Sequence, residues 1–518
     1  MSNFLDDNLN QSVFFDINYL EVLGNNTFEY CLYHLLENDE ILSDFHTRYK
    51  NKSVGRKAYP PALLLRVIFY AYYRGHTSSR VIERLCKTDL KFIALAAGRQ
   101  PHFTTIANFV SSNCEAMGKL FHKVLLICDQ SGLIGKEHFA IDGCKLPTNA
   151  SKQWSGTHKE LRKKSDKLKE AAKKIIDKHL SSDSDKDSAG NIPDDHQQTI
   201  DTLMKNASKI DDFLSTNEPR MGQGRRKQEV QSNITDNQSA KMTTSKGTIQ
   251  GMACVTAADE KHQVIVHAQA FGMGQEQATL KPMVEGIKKN FGDNIFKPSL
   301  VLTADTGFSS EATMQYLFDE KINAVVPDNQ FRKRNPVFSD SDFYKKHKAL
   351  RKKTRKDQSG RDEVFHSSIF TVNLDNNSCI CPVGKEMLFQ GDHFEGARGI
   401  YSRFRGKLRD CRDCDLQTQC MKKPVKDQGR QVSFLNEEQE KVTCLDLMKQ
   451  KIDSPEGRRM YSRRMWTIEP VFGNITSNKG LSRISVRGEA KATAQWLMYC
   501  MVHNIEKLWK NSEVESWA

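Results

Sequence analysis

No apolar run in this chain approaches the ~18 residues that a membrane-crossing helix needs, so a membrane span is not expected. The opening stretch, MSNFLDDNLNQS, carries acids where a secretory signal has a basic segment and an apolar core. No secretory signal is expected, and the protein is read as cytoplasmic. In an unexported chain the thirteen cysteines are expected as reduced thiols or metal ligands rather than disulfides. Acids are in deficit: 64 Asp and Glu stand against 77 Lys and Arg, a formal charge of +13. That balance makes nucleic acid a candidate partner. The 518 residues suffice for about three domains of ~150 residues each.

What the chain does have begins with helices. Ala62 to Tyr73 (ALLLRVIFYAYY) follows two prolines, which suit a helix start. Ser78 to Leu95 repeats the pattern after an Arg-Gly-His-Thr break, and a third segment begins at TTIANF, with Thr104 or Thr105 as its expected cap. Short amphipathic helices with tight breaks, over residues 1–135, fit a helix-turn-helix-like DNA-binding module; a plain helical bundle fits equally. Thr157 and Glu160 form a capping box for a charged helix running to Leu180, with Leu161, Leu168, Ala172 and Ile175 on one face. A second amphipathic helix runs from Gln197 to Leu214, and the two are expected to pair as a hairpin within residues 157–230.

The strands carry the chemistry. FAIDGCKLP (Phe139 to Pro147) and SLVLTADTGF (Ser299 to Phe308) each run from apolar residues into an aspartate followed by a turn signal. A turn or helix cap explains such an acid. So does a metal ligand at the carboxyl edge of a sheet, where ligands collect in open α/β folds. Between them, Gly247–Ala258 and His262–Phe271 read as a hairpin, followed by helix Gln275–Asn290. After Asp305 come helix Ser310–Asp319 and strand Ile322–Pro327. This order predicts an α/β class fold, a mixed sheet of the ribonuclease-H-like (RNase-H-like) kind, over residues 136–330 and resumed at 456–518.

Glu469 supplies a third acid, amid apolar residues and near Arg463, Arg464, Lys479, Arg483, Arg487 and Lys491. A salt-bridged structural glutamate is one reading. Two aspartates at strand ends and a later glutamate are also what two-metal phosphoryl transfer needs: two Mg²⁺ (or Mn²⁺) ions held by Asp142, Asp305 and Glu469.

Residues 331–455 read as a basic and cysteine-rich insertion. Its first part holds Arg332, Arg334, Lys352 and Lys353 among many cations, with Phe343 and Tyr344 interleaved. Such a stripe suits contacts to a phosphate backbone, and a solvated loop is the alternative. Its second part contains CICPVGKEM and CRDCDLQTQC. Cys381, Cys411, Cys414 and Cys420 make a candidate structural Zn²⁺ site, because a C-x2-C pair brings two thiolates to one tetrahedral ion. Cys379 is left out, since its side chain and that of Cys381 do not converge along a strand.

Taken in order, IDG at Asp142, TADTGFSS at Asp305 and YSRRMWTIEPVFG at Glu469 resemble the DDE transposases of bacterial insertion sequences, most closely the branch named for insertion sequence 1182. GRKAYPPALLLRVIFYAYYRGHTSSRVIERLC, PHFTTIANF, ITDNQSAKM, the CPVGK…CRDC…C run and VRGEAKATAQWLMYCMVHNIEKLW are similar to further segments of that family. The resemblance implies a transposase that cuts and joins the ends of its own element. It implies Asp142, Asp305 and Glu469 as metal-binding catalytic acids. Tyr461 and Arg464 are implied as contacts to DNA phosphates. Double-stranded DNA, as terminal inverted repeats and target, is the implied partner, engaged as a homodimer at the bacterial nucleoid. An inactive or domesticated DNA-binding relative, or an RNase-H-like nuclease, is the alternative. Four residues, where the family has three, separate Arg464 from Glu469. Thr476 stands where the family usually has lysine, and Lys479 is the nearest substitute.

Overall fold

The computed structural model describes residues 18–46, 57–182, 194–222, 228–245, 247–335, 364–365, 367–396, 399–421, 427–436 and 442–511. The chain divides into two compact units. The first comprises Met1–Phe308, Ile322–Ala324 and Ser462–Ala518; the second comprises Ser309–Lys321 and Val325–Tyr461.

The first unit starts with a helical module. Its central helix, Pro61–Tyr73, takes proline at its first position, where the missing N–H has no helical partner to lose. Residues 63–65 and 67–72 are all buried, so the helix is covered nearly all round and forms the module's core. The expected single segment from Ser78 to Leu95 is broken in two, Ser79–Thr88 and Leu90–Leu95. The break falls at Asp89, whose carboxylate accepts from the N–H groups of Lys91 and Phe92 and so starts a new helix. The third helix, Phe103–Ser112, is capped by the His102 ring rather than by Thr104 or Thr105.

A six-stranded mixed sheet follows, built from β1 (His138–Pro147), β2 (Ala240–Thr244), β3 (Gly247–Asp259), β4 (Ile265–Phe271), β5 (Val301–Ala304) and β6 (Ala324–Val325). Its order is β2-β3-β1-β5-β6, with β4 also on β3. β1 is antiparallel to β3 and parallel to β5, and β4 is antiparallel to β3. β4 therefore runs in the direction of β1 and β5, and the carboxyl ends of all three open on one edge. Between β1 and β2, His158–Ser182 and Asp194–Thr216 pair as an antiparallel hairpin, with Ser165 donating to Asp211 and His179 facing His196. The Thr157–Glu160 capping box is present.

The terminal helix, Glu489–Asn511, packs on β4 and on helices Cys114–Gln130 and Pro61–Tyr73. It thereby joins the sheet to the helical module. Tyr72 and Tyr499 stack with centroids 4.2 Å apart. The Asn504 amide accepts from the Ile265 N–H at 2.8 Å and donates to the Ile265 carbonyl at 2.9 Å. One side chain thus satisfies both polar groups of a residue on the open edge of β4, as a neighbouring strand would. Thr493 does the same for Ala270 near the strand's other end.

Lys479 is also interior, at 1% exposure. A π-helical turn, Asn474–Asn478, precedes it, and its ammonium meets Glu506 at 2.5 Å and the Tyr73 ring at 5.1 Å. Asn474 and Lys510 also donate to Glu506. Burial opposes the charge on Glu506, but these donors outweigh it and hold the carboxyl down at about 2. His503 lies alongside, pushed down to about 3 by burial. It is therefore neutral, with Nδ1 accepting from Asn474 and Nε2 donating to the Gln263 carbonyl.

In the second unit, a three-stranded sheet (Leu388–Gly396, Gly399–Arg405, Gln431–Leu435) and a two-stranded one (Thr371–Asn373, Ser378–Ile380) enclose a small core of Phe370, Cys379, Met387, Phe404 and Val432.

Two stability measurements check this packing. Asn504→Ala leaves both Ile265 groups without their partner and should cost about 2–3 kcal/mol in urea denaturation. Glu506→Gln strands a buried lysine and should cost about 3 kcal/mol at neutral pH. Because the Glu506 pKa is depressed from 4.5, its contribution is present above that value and lost as pH falls through about 2. The gap between Glu506→Gln and the unaltered protein should accordingly close over that window; a gap constant with pH would refute the ion pair.

Candidate active site

Strand register brings the two aspartates together. Ile141 pairs with Ala304 as the last rung between β1 and β5, so Asp142 and Asp305 are each one residue beyond it on adjacent parallel strands. Asp142 is not at the end of its own strand, as the sequence suggested. β1 continues to Pro147 against β3, with Asp142 opposite Thr256. The acid marks the point where β1 outruns its parallel neighbour.

Arg464 answers this pair of like charges. It lies on helix Pro455–Gly473 and is 7% exposed. Its Nη1 donates to Asp142 Oδ2 at 2.8 Å, and its Nη2 is 3.8 Å from Asp305 Oδ1. The preceding Arg463 clasps Glu260, so two consecutive arginines tie this helix to the sheet. Burial pushes the Asp142 carboxyl up, with Arg464 pulling against it and Asp305 adding to it.

Sequence reasoning missed a further acid. Glu276 follows the exit of β4, on the same sheet edge, and lies 3.7 Å from Lys145 Nζ. Burial raises its carboxyl, and Asp142 and Asp305 both push in the same direction. Gly307, two residues past Asp305, leaves room for it: a Cβ there would run into the Glu276 carboxylate. The available signal was the repeated grammar of a buried strand followed by an acid, here stretched across FGMGQE.

The other expected site residues are placed as follows. Glu469 is exposed, on the helix face shared with Met465 and Trp466, while Arg464, Thr467, Ile468 and Val471 form the buried face. It is five positions on from Arg464, about 500° of helical turn, which puts the two on different sides. Tyr461 meets Phe331 edge-on at 5.5 Å. Arg332 is exposed. Arg334 pairs with Asp328 at 2.6 Å and Asp453 at 2.5 Å, so its charge is already answered within the protein. Lys479, expected as a contact to DNA, has its ammonium buried against Glu506. Lys352 and Lys353 lie outside the described residues.

Cys381, Cys411, Cys414 and Cys420 line one cavity of about 150 Å³ in the second unit. Burial raises the Cys420 thiol, and the other three sulfurs add to the rise against Arg430. Glycine at 406 keeps the cavity open, since a Cβ there would lie 2.6 Å from Cys411 Sγ. Cys379 is instead buried in the small core, 3.7 Å from Met387 Sδ. Among the described residues, no three His, Cys, Asp or Glu side chains are already gathered as a metal-holding set.

Residues 380–509 match a family described as Transposase DDE domain, and residues 18–112 match one described as Transposase domain (DUF772). Both descriptions imply DNA transposase activity. The first match spans Glu469, Arg464 and the four cysteines, whereas Asp142 and Asp305 lie outside both. No curated protein matches the chain. No helix among the described residues is long and apolar enough to cross a membrane.

Proposed function

We propose that this protein is a DNA transposase of the branch named for insertion sequence 1182, and that it cuts and joins the ends of its own element on an RNase-H-like core. The observation that carries the reading is the register of β1 and β5, which sets Asp142 beside Asp305 at the carboxyl edge of a mixed sheet. Two transposase-domain matches in the same chain support it. The mixed sheet, in which β1 is antiparallel to β3 and parallel to β5, supports the RNase-H-like reading.

The donor set fits divalent ions: two carboxylates side by side, already met by a cation, are hard oxygen ligands in want of positive charge. Asp142 and Asp305 would hold Mg²⁺ or Mn²⁺, with Glu469 as the third acid, and the ions would supply an activated attacking oxygen and a stabilised leaving oxygen. Arg464 supplies a guanidinium whose fork suits a phosphate as well as a carboxylate. Lys145 offsets the negative charge of the acid cluster through Glu276. Double-stranded DNA carrying the element's ends, engaged by a homodimer, is the substrate. Arg332 and Tyr461 are the described residues proposed to meet its backbone. Cys381, Cys411, Cys414 and Cys420 are proposed to hold a structural Zn²⁺ in their shared cavity.

A second reading, a DNA-binding relative without strand transfer, is favoured by the outward position of Glu469 and the burial of Lys479. One experiment separates the two. Purified protein is given its element-end DNA with Mg²⁺ or with EDTA, beside Asp142→Asn, Asp305→Asn and Glu469→Gln. Metal-dependent nicking at the end, lost in each variant while DNA binding persists, is the expected outcome. Binding without nicking by the unaltered protein selects the second reading, and a variant that still cuts removes that residue from the site.

For the cysteine cavity, serine at both 411 and 414 should lower bound zinc per chain and reduce thermal stability. Equal zinc content in the two proteins would discard the site.

A further inference from the structure

Arg464 is held between two carboxylates. Its guanidinium touches both aspartates, and it is nearly excluded from water. The bond to Asp142 is short and sits at the deeper end, while the approach to Asp305 is longer and sits at the more exposed end. Around it, three carboxylates (Asp142, Asp305 and Glu276) are met by two cations, Arg464 and Lys145. One divalent ion held jointly by the aspartates would make the count of charges positive with Arg464 still in place. Both aspartates would then be shared between an ion and a guanidinium that repel each other at short range.

We propose that Arg464 is a displaceable counter-cation: it keeps the two aspartates in register and yields their oxygens to a divalent ion. This rests on the reading of Asp142 and Asp305 as the ion-holding pair. Asp305, which Arg464 approaches less closely than Asp142, would be the first of the two to be released to an ion. Arg463 keeps the helix anchored to Glu260 while the neighbouring guanidinium changes partner. The released guanidinium remains at the edge of the site, where a DNA phosphate is the next anion that fits its fork. Arg464 therefore serves the site twice in sequence, first as a brace and then as a phosphate-positioning residue.

The test is Mn²⁺ binding to the full-length protein by titration calorimetry, without DNA. The proteins compared are the unaltered chain, Arg464→Gln, Arg464→Lys and Asp142→Asn. Removing a competing cation should tighten Mn²⁺ binding on the order of tenfold in Arg464→Gln, the scale of a charge-assisted hydrogen bond. Arg464→Lys, a point charge that cannot fork across both acids, should show a smaller gain. Unchanged or weaker binding in Arg464→Gln, with binding lost in Asp142→Asn, overturns the proposal and leaves the aspartate reading standing. Unaltered binding in Asp142→Asn overturns the aspartate reading itself. Should Arg464→Gln fail to fold, ¹⁵N-arginine spectra of the unaltered protein give the answer. Saturating Ca²⁺ should shift one guanidinium signal, assigned to Arg464 through Arg464→Lys, and speed its proton exchange; a signal that does not move refutes displacement.

Discussion

Two carboxylates forced side by side by a parallel ladder are the constraint on which this structure turns. Neither aspartate chooses its position: the last rung between Ile141 and Ala304 fixes both. Like charges so close, and partly withdrawn from water, are tolerable only with positive charge at hand. Arg464 provides it, and to do so the helix that carries it must lie against the sheet. Arg463 on Glu260, and the buried run through Thr467, Ile468 and Val471, hold that helix down. The exposed face that results carries Met465, Trp466 and Glu469. The outward place of Glu469 thus goes with how the two aspartates are neutralised.

The terminal helix is the second organising element. It is buried along most of its length because it serves two neighbours, the sheet and the helical module. Several of its polar residues do not contradict that burial, since each of these has a defined partner. Asn504 and Thr493 bond to β4, and Trp496 donates to the Val255 carbonyl. Glu506 gathers Lys479, Lys510 and Asn474. A polar group inside a protein is acceptable when it is fully bonded, and here the bonds also fix where helix and sheet meet.

Much of this was legible in the sequence where one periodicity dominates. The hairpin of β3 and β4, the charged helical pair and the aspartate of β5 follow from alternating or helical apolar patterns and turn residues. Cys379, left out of the expected zinc site, lies on a strand that turns its side chain into a small core. Asp89 was less visible, because the apolar pattern runs through it and only its side chain's bonds to Lys91 and Phe92 interrupt the helix. Glu276 was hidden because a polar stretch separates it from β4, and only the sheet's connectivity returns it to the aspartates. The interior position of Lys479 was not legible. Counting residues after Glu469 assumes a uniform helix, and the π turn at Asn474–Asn478 breaks that uniformity and directs the lysine inward. In each miss, sequence supplied a charge and tertiary structure decided which opposite charge would receive it.

The amide of Asn504 has a consequence for how copies of this protein can meet. An open strand with free N–H and C=O groups is a template on which another chain can add a strand, the route to swapped pairs and to aggregates. On β4, side chains from the terminal helix occupy those groups at Ile265 and Ala270 and leave an incoming strand no ladder to complete there. Growth of the sheet by a second copy is closed at these two positions of β4.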